Sequence, residues 1–142
     1  NLIYSYAERI DNGDLEGVAA LFRDAEILST VHDVKRTGFD EVLRMYQRSC
    51  RLYESTGTPL TKHLTTNVII ELDSNGKEAS ARSYYTVIQA TDALPLQPII
   101  SGRYRDRFRK IDTQWQFASR EMLVDLIGDC SAHLLYDSSG LS

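Results

Sequence analysis

The spacing of apolar residues changes rhythm along this chain. Up to about Tyr53 they recur at helical intervals, and from Thr61 they mostly alternate with polar ones. Leu2, Ile3, Tyr6, Ala7 and Ile10 predict a helix from Asn1 to Asn12, closed by Asn12-Gly13. Asp14 is placed to cap a second helix reaching about Phe22, with Leu15, Val18, Ala19 and Phe22 on one stripe. Ala25 to Ser29 reads as a short strand, His32 and Asp33 as a turn, and Lys35 to Thr37 as a returning strand. Phe39 to Tyr53 predicts a third helix whose stripe is Val42, Leu43, Tyr46, Cys50 and Tyr53. Ser55 to Pro59 breaks it.

The strand rhythm begins with Thr61 to Leu72. Strict alternation puts His63, Thr65, Asn67 and Ile69 on one face, a polar row suited to a pocket wall. It puts Leu64, Thr66, Val68, Ile70 and Leu72 on the other, expected to pack against protein. Ser74-Asn75-Gly76 signals a hairpin into a long strand from Glu78 to Ala90. A loop from Thr91 to Pro98 precedes a strand from Ile99 to Ile111, and Asp112-Thr113-Gln114 turns into a last strand from Trp115 to about Val124. The tail from Gly128 to Ser142 has no strong periodicity. Helices followed by a meander of long strands make an α+β pattern. A strongly curved sheet wrapped around helices would leave a pocket between them.

The 142 residues fit one domain, residues 1–142, with no internal repeat. The chain opens at Asn1 inside a helical pattern and without a methionine, as expected if further residues precede it. Charged residues are 25% and the formal net charge is −4, which argues against a nucleic-acid or membrane-surface partner. No apolar run is long enough to span a bilayer and no secretory signal is visible. Cys50 and Cys130 read as free thiols in a reducing, cytoplasmic setting, with a single disulfide as the weaker alternative.

His32, His63 and His133 fall in no metal-ligand frame, and the chain has no phosphate loop, dinucleotide fingerprint or nucleophile elbow. No cofactor is therefore expected, and acid–base chemistry remains. His63, with an ordinary pKa near ~6.5, exchanges protons at neutral pH. A carboxylate beside it would orient the ring, and Asp11, at the end of a helix, is the best-placed one. Each has a plainer reading too: His63 as a structural histidine at a strand start, Asp11 as a capping aspartate. Tyr6, Tyr46, Tyr85 and Tyr104 could each donate a phenol proton to a substrate oxygen or simply pack. Arg103, Arg105, Arg107 and Arg109 share one strand face, read as solvated. Arg120, among apolar neighbours, needs a carboxylate or a bound anion. His133 reads as a surface histidine, with closure of the pocket, its own or a partner subunit's, as the weaker alternative.

The run from Tyr6 through Asp11-Asn12-Gly13-Asp14 to Phe22 resembles the opening of SnoaL-like proteins of the nuclear transport factor 2-like (NTF2-like) superfamily. Thr61-Lys62-His63-Leu64-Thr65-Thr66-Asn67, Gly102 to Phe108, Trp115 and Arg120 resemble later blocks of that family. The resemblance implies an α+β cone: a curved mixed sheet around helices, a deep pocket, and a homodimer or higher homo-oligomer. Its nearest functional analogues are scytalone dehydratase, hexachlorocyclohexane dehydrochlorinase and bile-acid 7α-dehydratase, cofactor-free lyases built on an Asp–His pair. By that resemblance Asp11 and His63 are the pair, Arg120 matches an arginine of the dehydrochlorinase, and Tyr6 matches a tyrosine of the bile-acid enzyme. The second histidine of scytalone dehydratase has no counterpart among Ile99, Ile100 and Ser101.

The expectation is a cofactor-independent, dehydratase-type lyase or isomerase acting on a hydrophobic, ring-bearing small molecule. Asp11, His63, Arg120 and Tyr6 would be catalytic, and Tyr104, Tyr46, Asn67, Tyr85, Phe22 and Ile69 would bind substrate, with Met45, Val87 and Leu123 as further apolar lining. The alternatives are a non-catalytic ligand-binding or assembly module, like the β subunits of aromatic-ring dioxygenases, and a polyketide cyclase-like protein.

Overall fold

The computed structural model of the chain describes residues 1–29 and 34–136. The turn expected at His32 and Asp33, and the end of the tail, lie outside them. Three helices come first: α1 (Leu2–Asp11), α2 (Leu15–Ala20) and, after two short strands β1 (Glu26–Ser29) and β2 (Val34–Thr37), α3 (Gly38–Ser49). Four long strands follow, β3 (Thr61–Leu72), β4 (Glu78–Gln89), β5 (Gln97–Ile111) and β6 (Gln114–Ile127).

Local chemistry explains these boundaries. α1 buries Ile3, Tyr6, Ala7 and Ile10, one stripe at helical spacing. Gly13 follows at φ +74°, and a Cβ there would run into the Gly57 carbonyl, so this crossing of two chain segments requires glycine. Asp14 caps α2 by accepting the Gly17 N–H at 2.8 Å. Glu41 accepts the Thr37 N–H at 2.7 Å at the start of α3. The third helix stops at Ser49, short of the Tyr53 that its apolar stripe predicts. Cys50 turns extended and pairs antiparallel with Leu134. The Arg51 N–H donates to the His133 carbonyl at 2.9 Å, and the Tyr53 hydroxyl to the Ala132 carbonyl at 2.5 Å. The C-terminal segment thus supplies the partners that helical continuation would have supplied.

The six strands form one curved mixed sheet in the order β2-β1-β6-β5-β4-β3. Neighbours are antiparallel except β1 and β6, which run parallel. Helices cover the concave face. There Phe22 stacks on Phe117 with centroids 4.7 Å apart, and Phe117 meets Phe108 at 4.9 Å. Arg103, Arg105 and Arg107 on the convex face pair with Asp125, Glu121 and Asp73 at 2.8, 3.3 and 3.3 Å. That is the partly solvated row expected from sequence.

Strand β3 departs from strict alternation. Its pairing with β4 shifts between Thr66 and Ile69, and Asn67 adopts φ +55°. A bulge of this kind moves every later side chain to the opposite face. Thr61, His63 and Thr65, opposite buried Gln89, Val87 and Tyr85, point inward. Ile69 instead faces Arg82 on the convex side. The face expected to pack against protein is largely open: Leu64, Ile70 and Leu72 are exposed, and only Val68 packs on the core. As an edge strand, β3 has a neighbouring strand on one side only.

Candidate active site

Between the concave face and the helices lies a cavity of about 790 Å³, the size of a small-molecule site. At its wall Asp11, the last residue of α1, meets the first residues of β3. Asp11 Oδ1 accepts the Thr61 hydroxyl at 2.9 Å and bonds His63 Nδ1 at 2.6 Å. Asp11 Oδ2 accepts the His63 backbone N–H at 2.8 Å. One carboxylate therefore fixes both the strand and the ring it carries. A carboxylate at Nδ1 selects the tautomer with its proton there, leaving Nε2 as acceptor. Nε2 makes no hydrogen bond to the described residues, and the ring lines the cavity.

The His63 and Asp11 side chains are only 6% and 9% exposed. Burial pulls the Asp11 carboxyl upward, but the hydrogen bonds and charge of His63 and the Thr61 hydroxyl outweigh it. The carboxyl is held below its ordinary value, so it stays ionised.

A layer of phenols lies beside the pair. The Tyr6 ring is edge-on to His63, with centroids 6.3 Å apart, and its hydroxyl bonds that of Tyr46 at 2.6 Å. Two hydroxyls sharing one hydrogen bond leave one O–H to offer a ligand. Tyr104 stacks on Tyr85 at 4.4 Å. The Tyr85 hydroxyl is used on the Leu123 carbonyl at 3.2 Å, whereas that of Tyr104 has no partner among the described residues. Burial drives all four phenols upward, so they stay protonated, and Tyr104 and one of the Tyr6–Tyr46 pair keep an O–H for the cavity.

Arg120 faces inward but does not reach the cavity. It is fully buried and holds Asp106 through two bonds of 2.8 and 2.9 Å. Burial opposes its charge, and the Asp106 carboxylate more than restores it. Its guanidinium stacks beneath the Tyr104 ring at 3.7 Å and the Tyr6 ring at 4.4 Å. The partner that the sequence demanded is thus a carboxylate, and the phenol layer separates Arg120 from any ligand.

Of the expected site residues, Asp11, His63, Tyr6, Tyr46, Tyr85 and Tyr104 converge here. Asp11 buttresses the ring, and the other five line the cavity, as do Met45 and Val87. Phe22 is fully buried behind the phenols, stacked on Phe117. Asn67 occupies the bulge, Ile69 faces outward, and Leu123 is outside the lining.

Two residues escape a sequence reading. Thr61 was legible only as the residue two before His63, on the same strand face. His133, read first as a surface histidine, is only 7% exposed, and its ring lines the cavity 6.3 Å from that of His63, the place its weaker pocket-closing alternative gave it. Its Nδ1 has no hydrogen-bond partner among the described residues. Burial first, then the His63 ring, pushes its pKa down to about 4, so His133 is neutral at neutral pH. Its tail has no periodicity to announce it.

Both cysteines are free and buried. Burial and Asp11 push the Cys50 thiol up to about 11, and burial and Asp129 raise that of Cys130, which leaves neither as a ready thiolate. Among the described residues no three His, Cys, Asp or Glu side chains converge as a metal site, and no helix is long and apolar enough to cross a membrane.

Comparison with known proteins places this geometry among relatives. The SnoaL-like domain model matches residues 1–121. A proposed scytalone dehydratase from Novosphingobium aromaticivorans is 30% identical over 90% of this chain and 82% of its own, with a TM-score of 0.69. Rv3472 from Mycobacterium tuberculosis, a protein of unknown function, is 29% identical over 89% of this chain and 69% of its own, with a TM-score of 0.70. A protein with a cystatin-like fold from Nostoc punctiforme is 25% identical over 87% of this chain and 86% of its own, with a TM-score of 0.70. No curated protein matches the chain.

Proposed function

The chain belongs to the SnoaL-like family, and from that premise we propose that it is a cofactor-independent lyase or isomerase of the dehydratase type. The observation that carries this reading is the His63 ring, fixed through Nδ1 by an ionised Asp11 while Nε2 is left to the cavity. Such a ring is a positioned general base. The similarity to a proposed scytalone dehydratase at 30% identity supports the same class.

In the proposed step His63 Nε2 takes a proton from a carbon next to a carbonyl. The C–H electron pair forms a C=C bond as the neighbouring C–O bond breaks. The departing hydroxide takes the proton back from the imidazolium and leaves as water, which restores His63. Tyr104 and the Tyr6–Tyr46 pair hydrogen-bond the carbonyl oxygen as negative charge develops on it. Arg120 acts through the rings above it. Its charge favours the electron-rich phenols and keeps them in place, which makes it a positioning residue rather than a catalytic one.

The test is dehydration of a panel of cyclic β-hydroxy ketones, followed by the absorbance of the conjugated product. The native chain should turn over at least one, and His63→Ala should abolish turnover while its circular dichroism and melting temperature stay close to native. Turnover unchanged in His63→Ala would refute the assignment. Ligand binding without turnover across the panel would favour the binding-module alternative.

A further inference from the structure

The mouth of the cavity carries a charge opposite to that of the chain. The formal net charge is −4, yet four cations line the cavity: Lys35, paired with Glu26 at 3.1 Å, and Arg36, Arg44 and Arg48, the last two exposed and so at its solvent side. Arg36 sits on β2 directly across from buried Ile27, so both side chains lie on the concave face. Arg44 and Arg48 are one turn apart on α3, neighbours on the same helix face. Elsewhere Arg109 donates to the Asp24 backbone carbonyl, and five strand arginines, Arg82, Arg103, Arg105, Arg107 and Arg120, each have a carboxylate. None of the three at the mouth has one among the described residues. The carboxylate that lines the opening with them, Glu41, accepts the Thr37 N–H.

Two cations at this helical spacing repel each other and weaken the helix slightly. Three guanidiniums without a carboxylate, of which Arg36 donates to the Lys35 carbonyl at 3.0 Å, also focus a positive field into a concave opening. Guanidinium is well shaped to hold carboxylate or phosphate oxygens in pairs. The far end of the cavity offers apolar walls, phenols and a neutral His133, with no cation exposed to the ligand.

We infer that the mouth formed by Arg36, Arg44 and Arg48 is a binding site for the anionic head, carboxylate or phosphate, of an amphiphilic substrate whose ring end reaches His63. The inference rests on the acid–base reading of that cavity and names the substrate class it takes. It predicts that affinity for anions falls with salt, as expected for pairs at a solvated opening.

The experiment compares naphthoate, naphthyl phosphate and neutral naphthol, with binding followed through the NMR ring resonances of His63 and His133. These resonances report occupancy of this cavity alone. Both anions should bind roughly tenfold or more tightly than naphthol, the advantage of charge-assisted hydrogen bonds. Arg44→Glu with Arg48→Glu, at exposed positions, should erase that preference and leave naphthol affinity within about twofold. Arg44→Gln with Arg48→Gln should give an intermediate loss. The tighter of the two anions identifies the head group. Equal affinity for naphthol and the anions, or an anion preference that survives charge reversal, overturns the inference while leaving the acid–base reading intact. If none of the three perturbs either ring, the cavity is not a site for ring-bearing ligands, and both readings fall.

Discussion

His133 faces His63 across the cavity, ring centroids 6.3 Å apart and planes at 69°. The two imidazoles differ in everything but identity. His63 is bonded to a carboxylate, whereas His133 has a bare Nδ1 and no counter-charge in contact.

His133 therefore makes the fold acid-sensitive. Its folded pKa is lowered to about 4 by burial and by the His63 ring, against an upward pull from Asp11. In the unfolded chain an imidazole titrates near ~6.5. As pH falls the unfolded chain takes up the proton first. The contribution of neutral His133 is thus complete above about 6.5 and is lost as pH falls towards about 4. The shift corresponds to something on the order of 3 kcal/mol. Urea midpoints measured down this range should fall in the native chain and fall much less in His133→Gln. An undiminished slope in the variant would assign the sensitivity to another group.

Asp11→Asn should separate orientation from charge. The amide oxygen can still accept one of the bonds that the carboxylate now takes from Thr61 and His63, but the preference for a proton on Nδ1 is weakened. Loss of the oriented, charge-stabilised ring is expected to lower turnover by about 10²- to 10⁴-fold. NMR of the ring nitrogens should show one tautomer in the native chain and a mixture in the variant. The depressed carboxyl also stabilises the fold above its unfolded value of about 3.9, and that contribution is lost as pH falls through the lower folded value. The variant should lack this acid limb.

The Asp106–Arg120 pair is expected to be costly to break from one side. Both side chains are completely buried, so Arg120→Met strands a carboxylate and should lose about 3–5 kcal/mol by denaturant unfolding. Arg120→Met combined with Asp106→Leu should recover much of that loss. If the double variant is as unstable as the single one, packing rather than the stranded charge is responsible.

Two glycines with similar backbones should respond differently to alanine. Gly13 and Gly76 have φ of +74° and +68°, so both substitutions strain the backbone by about 1 kcal/mol. Only at Gly13 would the new Cβ strike a neighbour, the Gly57 carbonyl, whereas Gly76 opens to free space. Gly13→Ala should be the more destabilising in thermal melts, and equal losses would mean that the loop at Gly57 yields freely.

The sequence pattern carried the helices and the long strands, because each is written in local spacing, whereas the Asp11–His63 pairing, across 52 residues, was legible through the family resemblance. Three features were not local. The bulge at Asn67, at φ +55°, reverses the faces of the residues after it, which turns Ile69 outward and sets Ile70 and Leu72 opposite Ala81 and Ala79. The early end of α3 depends on residues more than eighty positions later pairing with Cys50. Arg120 announced its need for a partner, but its screening by Tyr6 and Tyr104 follows from stacking that no spacing reveals. His133 escaped for the same reason: an aperiodic tail acquires its position only from what it packs against.

The cavity draws its wall from Tyr6 and Ile10 in the first helix and from His133 beyond the last strand. Domains generally fold as units once their chain has emerged, and β1 here finds its second neighbour, besides β2, only in β6, the last strand made. A nascent chain that has delivered β6 already holds every strand of the sheet, yet it still lacks the segment that turns α3 aside at Cys50 and presents the second imidazole. The strands that give the shape are therefore made before the segment that completes the site. A product arrested after Ile127 would carry the fold's outline with an unroofed, half-furnished chamber.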